Sequence, residues 1–77
     1  MEASQKQRDY LAKLAGNKRN LGLGRRLDEV AAEAFGFDYY TDAPLTKRLA
    51  SALIDIYTGK ADEGLYVWAV RKDREEA

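Results

Sequence analysis

Residues 45–59 read L-T-K-R-L-A-S-A-L-I-D-I-Y-T-G, and this stretch joins a helix start, a continuous apolar face and a helix stop. Thr46 stands where an N-cap belongs, its hydroxyl able to accept from a backbone N–H two or three residues on. Leu45 before it and Ala50 after it form a weak hydrophobic staple. Position 49 is Leu rather than Glu or Gln, so the reciprocal half of a capping box is missing. Leu49, Leu53, Ile56 and Tyr57 recur at helical spacing with Ala50 and Ile54 alongside, which makes a broad apolar face. Ala50, Ser51 and Ala52 are small enough to let another backbone approach. Gly59 suits the left-handed conformation that ends a helix. A helix over 46–58 spans roughly 20 Å, the width of a small domain, and reads as a core helix without chemistry of its own.

Working outward, Ser4-x-x-Gln7 is a capping-box signature that opens a helix over about 4–15. Tyr10, Leu11, Leu14 and Ala15 form its apolar stripe, Lys13 complements its dipole and Gly16 stops it. Residues 16–24, G-N-K-R-N-L-G-L-G, read as a loop. They lack the spacing of a nucleotide-binding P-loop, although Gly22-Leu23-Gly24 would let a phosphate approach the backbone. A second helix is expected over about 25–35, with Leu27, Val30, Ala31 and Ala34 at i, i+3, i+4 and i+7 and Gly36 at its end. Arg25 and Arg26 would then occupy its first turn, where positive charge opposes the dipole, and an external anion is one use for such a pair. Residues 37–45, F-D-Y-Y-T-D-A-P-L, connect to the core helix, and Pro44 fixes the boundary.

The tail has two readings. L-Y-V-W-A-V over 65–70 has strong β propensity, and 37–41 is the other β-like run, so an extended segment or a short two-stranded ribbon (37–41 with 65–70) is expected. A fourth helix over 62–76 is the alternative, since Leu65, Trp68 and Ala69 also fit helical spacing. Trp68 is expected to anchor the core in either case. The chain therefore reads as mainly α: one small domain over 1–77, with three helices and an ambiguous C-terminal segment.

Seventy-seven residues suffice for one domain of modest core. The chain has no cysteine and no histidine, which removes thiolate chemistry and the commonest general base and metal ligand. Asp38, Asp42 and Glu63 offer oxygen ligands, but not at EF-hand spacing, so no cofactor or metal is expected. No apolar run approaches a membrane span, and Met1-Glu-Ala-Ser-Gln-Lys lacks a signal-peptide core, so a cytoplasmic protein without membrane association is expected. Net charge is zero, yet residues 1–26 carry a balance of +5 and residues 27–46 a balance of −5. Two readings stay open: a dipolar surface that steers a partner, or a basic segment folded against the acidic one.

The order Gln7-x-x-Tyr10-Leu11-x-x-Leu14, then Leu27-x-x-Val30 ending in Phe35-Gly36, then Leu45-Thr46-Lys47 followed by Ala50-Ser51-x-Leu53-Ile54-Asp55, resembles small helical modules of phages and prophages. It is similar to the recurring domain of Mu-type GemA regulatory proteins and to related short phage proteins. The likeness covers about residues 5–58 and departs from the pattern at Leu49, where an acid is usual. It implies a mobile-element origin and a three-helix fold, and little about a site. A helix-turn-helix is matched only in its first half, by Ala32 and Phe35-Gly36-Phe37, because the connection from Gly36 to Thr46 is too long for the turn.

These readings point to a non-enzymatic binding protein. In the first form it inhibits or modulates host machinery, such as a polymerase or a defence complex, by protein–protein contact, using the dipolar surface and the aromatics Tyr39, Tyr40, Tyr66 and Trp68. In the alternative it is a nucleic-acid-associated regulator, with Lys13, Lys18, Arg19, Arg25 and Arg26 on phosphates and Lys47 and Arg48 extending the patch. The zero net charge and a pI near 6.2 favour a host protein over nucleic acid as partner. The expected partner-binding residues are Lys18, Arg19, Arg25, Arg26, Tyr39, Tyr40, Lys47 and Arg48.

Overall fold

A computed structural model of the chain describes residues 1–36 and 44–76. Among the described residues there are four α-helices: α1 (Gln5–Ala15), α2 (Leu21–Phe35), α3 (Lys47–Tyr57) and α4 (Gly64–Glu76). A 3₁₀ turn, Lys18–Asn20, leads into α2. Helix α3 lies between α1 and α4, and α2 closes the other side of α4.

The core helix forms as its sequence dictates. Leu49, Ala50, Ala52, Leu53, Ile56 and Tyr57 are all buried, so the apolar face is filled from end to end. The remaining core comes from Ala3, Leu11 of α1, Leu27 and Ala31 of α2, and Tyr66, Ala69 and Val70 of α4. Gly59 takes a φ of 83° and turns the chain just beyond the Thr58 C-cap of α3, and Gly36 ends α2 at a φ of 75°.

The start of α3 is the most heavily tied point of the chain. Thr46 accepts the Leu49 N–H at 3.0 Å, as an N-cap should. With no acid at position 49, the Thr46 N–H donates to the Pro44 carbonyl at 3.1 Å, and the Thr46 hydroxyl donates to Asp73 Oδ2 of α4 at 2.5 Å. Residues 1–3 run antiparallel alongside, with a single bridge between Glu2 and Thr46. Ala3 N–H donates to the Leu45 carbonyl and Lys47 N–H to the Met1 carbonyl, each at 3.0 Å. One of the helix's orphan amides is thus satisfied by a segment far away in sequence. The capping box of α1 reaches the same place. Gln7 Oε1 accepts the Ser4 N–H at 3.0 Å, while Gln7 Nε2 donates to the Lys47 carbonyl at 3.4 Å.

Three expectations are corrected. The ribbon is not formed on its C-terminal side, because residues 65–70 lie inside α4; residues 37–41 lie outside the described residues. The fourth-helix alternative holds, on a face different from the one expected. Tyr66, Ala69 and Val70 are buried at i, i+3 and i+4, and Asp73 follows at i+7 to meet Thr46. Burial of that face outweighs the β propensity of L-Y-V-W-A-V. Asp62 opens the helix by accepting the Gly64 N–H at 2.8 Å.

The second correction concerns residues 16–24, which are mostly helical. Asn17 caps the 3₁₀ turn through the Arg19 N–H at 3.0 Å, and the turn runs straight into α2 at Leu21. Asn20 Nδ2 meanwhile donates to the Leu14 carbonyl at 2.7 Å and closes the end of α1. Two helical glycines cost about 1 kcal/mol each relative to alanine. Neither position requires glycine: a Cβ at Gly24 would stand in ordinary contact, 3.8 Å from the Tyr57 hydroxyl, and one at Gly22 would meet open space. With α2 starting at Leu21, Arg25 and Arg26 fall in its second turn, and their expected conflict with the helix dipole disappears. The third correction is Trp68, which is 49% exposed and anchors no core.

Tyr66 takes the central place expected of the tryptophan. It is wholly buried and meets Phe35 edge-on, the ring centroids 6.4 Å apart at 72°. The Arg74 guanidinium lies 4.8 Å from the same Phe35 ring. Burial, reinforced by the Asp28 carboxylate and opposed by Arg74, pushes the Tyr66 phenol from 10.0 up to about 12. A raised pKa means the folded state resists ionisation, so this contribution to stability is intact below pH 10.0 and is lost as pH rises toward about 12. Urea unfolding as a function of pH checks this. Stability should fall between about pH 10 and pH 12, and Tyr66→Phe should flatten that decline. A variant that follows the same pH curve as the native chain would contradict it.

Candidate functional site

The expected partner-binding residues do not form one surface. Lys18 and Arg19 lie exposed on the 3₁₀ turn, and Arg25 is exposed on the second turn of α2. Among the described residues none of these three takes part in an ion pair. Arg26, although exposed, is bound through Nε to Glu63 at 2.9 Å, which ties α2 to the approach of α4. Tyr39 and Tyr40 lie outside the described residues, as do Asp38 and Asp42.

Lys47 and Arg48 are separated from this group rather than joined to it. They stand at the first turn of α3, whereas Arg25 shares a cleft with Tyr57 at the last turn. Ten residues of helix put roughly 15 Å between the two levels. Arg48 is also occupied. Its guanidinium contacts Asp73 at 3.0 Å and Glu76 at 2.8 Å, and its centre lies 6.0 Å from the Trp68 ring centroid. The hydrogen bond to Glu76 is the main cause that raises the Arg48 pKa, and the same bond holds the Glu76 carboxyl below the usual carboxylate range. Arg48 thus extends the Thr46–Asp73 tie toward the end of α4. Tyr66, expected at an interface, is in the core. Lys47 remains exposed on its own.

Asp38 and Asp42 of the acidic stretch lie outside the described residues. No ion pair among the described residues joins the basic 1–26 stretch to Glu29 or Glu33 of α2. Its one such partner is Glu63.

The concave feature near the exposed cations is a cleft of about 290 Å³ where the end of α1, the start of α2 and the end of α3 meet. Ala15, Leu21, Gly24 and Tyr57 supply most of its wall, with Asn20, Arg25 and Asp28 at its polar positions. Leu21 is 59% exposed. Sequence reading missed Leu21 because it fell in a stretch taken for a loop, and missed Tyr57 because its place on the core helix hid that it also borders a cleft. The signal for both was Asn17, whose capping of a turn would have moved the start of α2 forward by four residues.

Among the described residues no group of three Asp or Glu is placed to hold a metal ion, and no helix is long and apolar enough to cross a membrane. Comparison with protein-family models, curated proteins and solved structures finds no match.

The chain's single tryptophan makes the surface geometry measurable. Half-exposed Trp68 should emit at long wavelength and be quenched readily by acrylamide in the folded protein, and Arg48→Ala should raise the quenching further. Short-wavelength emission shielded from the quencher would mean that Trp68 is in the core.

Proposed function

We propose that this chain is a small non-enzymatic binding protein of phage type, one that modulates host machinery such as a polymerase or a defence complex by protein–protein contact. The cleft at Leu21, Arg25 and Tyr57 supports this reading most directly. It is concave and mostly apolar, a cation stands at its edge, and Lys18 and Arg19 are on the turn beside it. Interfaces are centred on apolar anchors with arginine nearby, and this combination occurs here on rigid helical elements. A chain without histidine or cysteine has few groups suited to acid–base or nucleophilic catalysis near neutral pH. The resemblance of residues 5–58 to phage modules supports a host-directed role.

The second reading is a nucleic-acid-associated regulator, favoured by the exposure of Lys18, Arg19 and Arg25 at one end of the molecule. Against it stand the zero net charge, Arg26 and Arg48 held in internal ion pairs, and the acids Glu29 and Glu33 on the following turns of α2. Affinity purification from the native host, with and without nuclease, separates the readings. Stoichiometric recovery of a host protein after nuclease treatment is the expected result. Recovery that depends on intact nucleic acid would favour the second reading, and recovery of no stoichiometric protein would contradict the first.

A further inference from the structure

The geometry points to an acidic linear peptide segment carrying one bulky apolar side chain as the occupant of the Leu21–Tyr57 cleft. This inference rests on the protein-contact reading above and goes further by stating the chemistry of the partner. Three observations lead to it.

The first is size. About 290 Å³ is at the lower edge of the roughly 300–1,000 Å³ of small-molecule sites, so the cleft suits a side chain rather than a whole cofactor. The second is the wall. Leu21, Ala15 and the Tyr57 ring present apolar surface, and Leu21 is left 59% exposed at its mouth. An apolar side chain seated there would remove that surface from water.

The third is charge. Arg25 is in the wall itself, and Lys18 and Arg19 are on the same 3₁₀ turn as Asn20, within a few ångströms of rise along that turn. Arg26 is held on Glu63, Arg48 on Asp73 and Glu76, and Arg74 on Phe35, while Arg8 and Arg71 are exposed away from the cleft lining. Lys18, Arg19 and Arg25 have no such ion pair among the described residues, so they favour anionic groups flanking the seated side chain. Asp28 is also in the wall. A nucleic-acid backbone, anionic at every step, brings no apolar side chain to cover Leu21, which makes it the poorer fit.

Fluorescence anisotropy with the full chain tests the proposal using four labelled probes: a short acidic peptide with one central phenylalanine, the same peptide with alanine there, a basic peptide with phenylalanine, and a short DNA duplex. The acidic phenylalanine peptide should bind most tightly and weaken with salt. Its alanine version should lose about tenfold or more, the equivalent of roughly 1.4 kcal/mol. Leu21→Asp and Arg25→Glu should each abolish binding, whereas Arg71→Glu, the same charge change on exposed α4, should not. Circular dichroism of each variant confirms that it folds. Equal binding of the alanine peptide, or tighter binding of the duplex, would overturn the proposal. So would a host partner still retained by Leu21→Asp while no peptide binds, and that result would leave the protein-contact reading standing. Failure of that parent reading shows differently, as a purification that recovers no protein.

Discussion

The hydroxyl of Thr46 makes two bonds at once. It accepts the Leu49 amide as an N-cap and donates to Asp73 of the last helix. A hydroxyl has one proton and two lone pairs, so both bonds are compatible. This atom joins the start of the central helix to the end of the chain. Around it, residues 1–3 pair with 45–47, Gln7 reaches the Lys47 carbonyl, and Arg48 carries the tie on to Glu76. The N-terminal segment, α1, α3 and α4 therefore converge on one helix start. An anionic Asp73 at that point also suits the positive end of the α3 dipole.

The opposite end of α3 is organised differently. There Tyr57 packs close to the α2 backbone at Gly24, and the surface opens into a cleft with an exposed leucine and cations that make no ion pair among the described residues. One end of the molecule spends its polar groups on holding helices together, and the other leaves them outward. Leu21 is 59% exposed there, close in sequence to the exposed Lys18, Arg19 and Arg25. Buried Tyr66 meets partly buried Phe35 edge-on, which joins α2 to α4.

Much of this was legible in the sequence, and the failures have definite causes. The cap at Thr46, the capping box at Ser4 and Gln7, the apolar face of 49–57 and the stops at Gly36 and Gly59 are local features, and they read correctly. The fate of 65–70 was not local. Two aromatics and two valines in six residues favour a strand until Tyr66, Ala69 and Val70 are seen to share one buried face. Thr46 was legible as a cap, but nothing in the sequence says that Asp73, 27 residues beyond it, accepts the hydroxyl proton. Arg48 was misjudged for the same reason, because its partners Asp73 and Glu76 are long-range. The glycines at 22 and 24 hid the true start of α2, and with it the site. Lys18, Arg19 and Arg25 were identified as outward-facing cations without the cleft they border.

The dependence of the fold on the Thr46–Asp73 tie is most directly tested by a double-mutant cycle of Thr46→Ala and Asp73→Ala, read by urea unfolding. The account predicts that each change destabilises the chain and that the two are coupled by about 1 kcal/mol or more, since they break the same bond. Additive effects, agreeing within about 0.3–0.5 kcal/mol, would show that the two helices are held together independently of that bond.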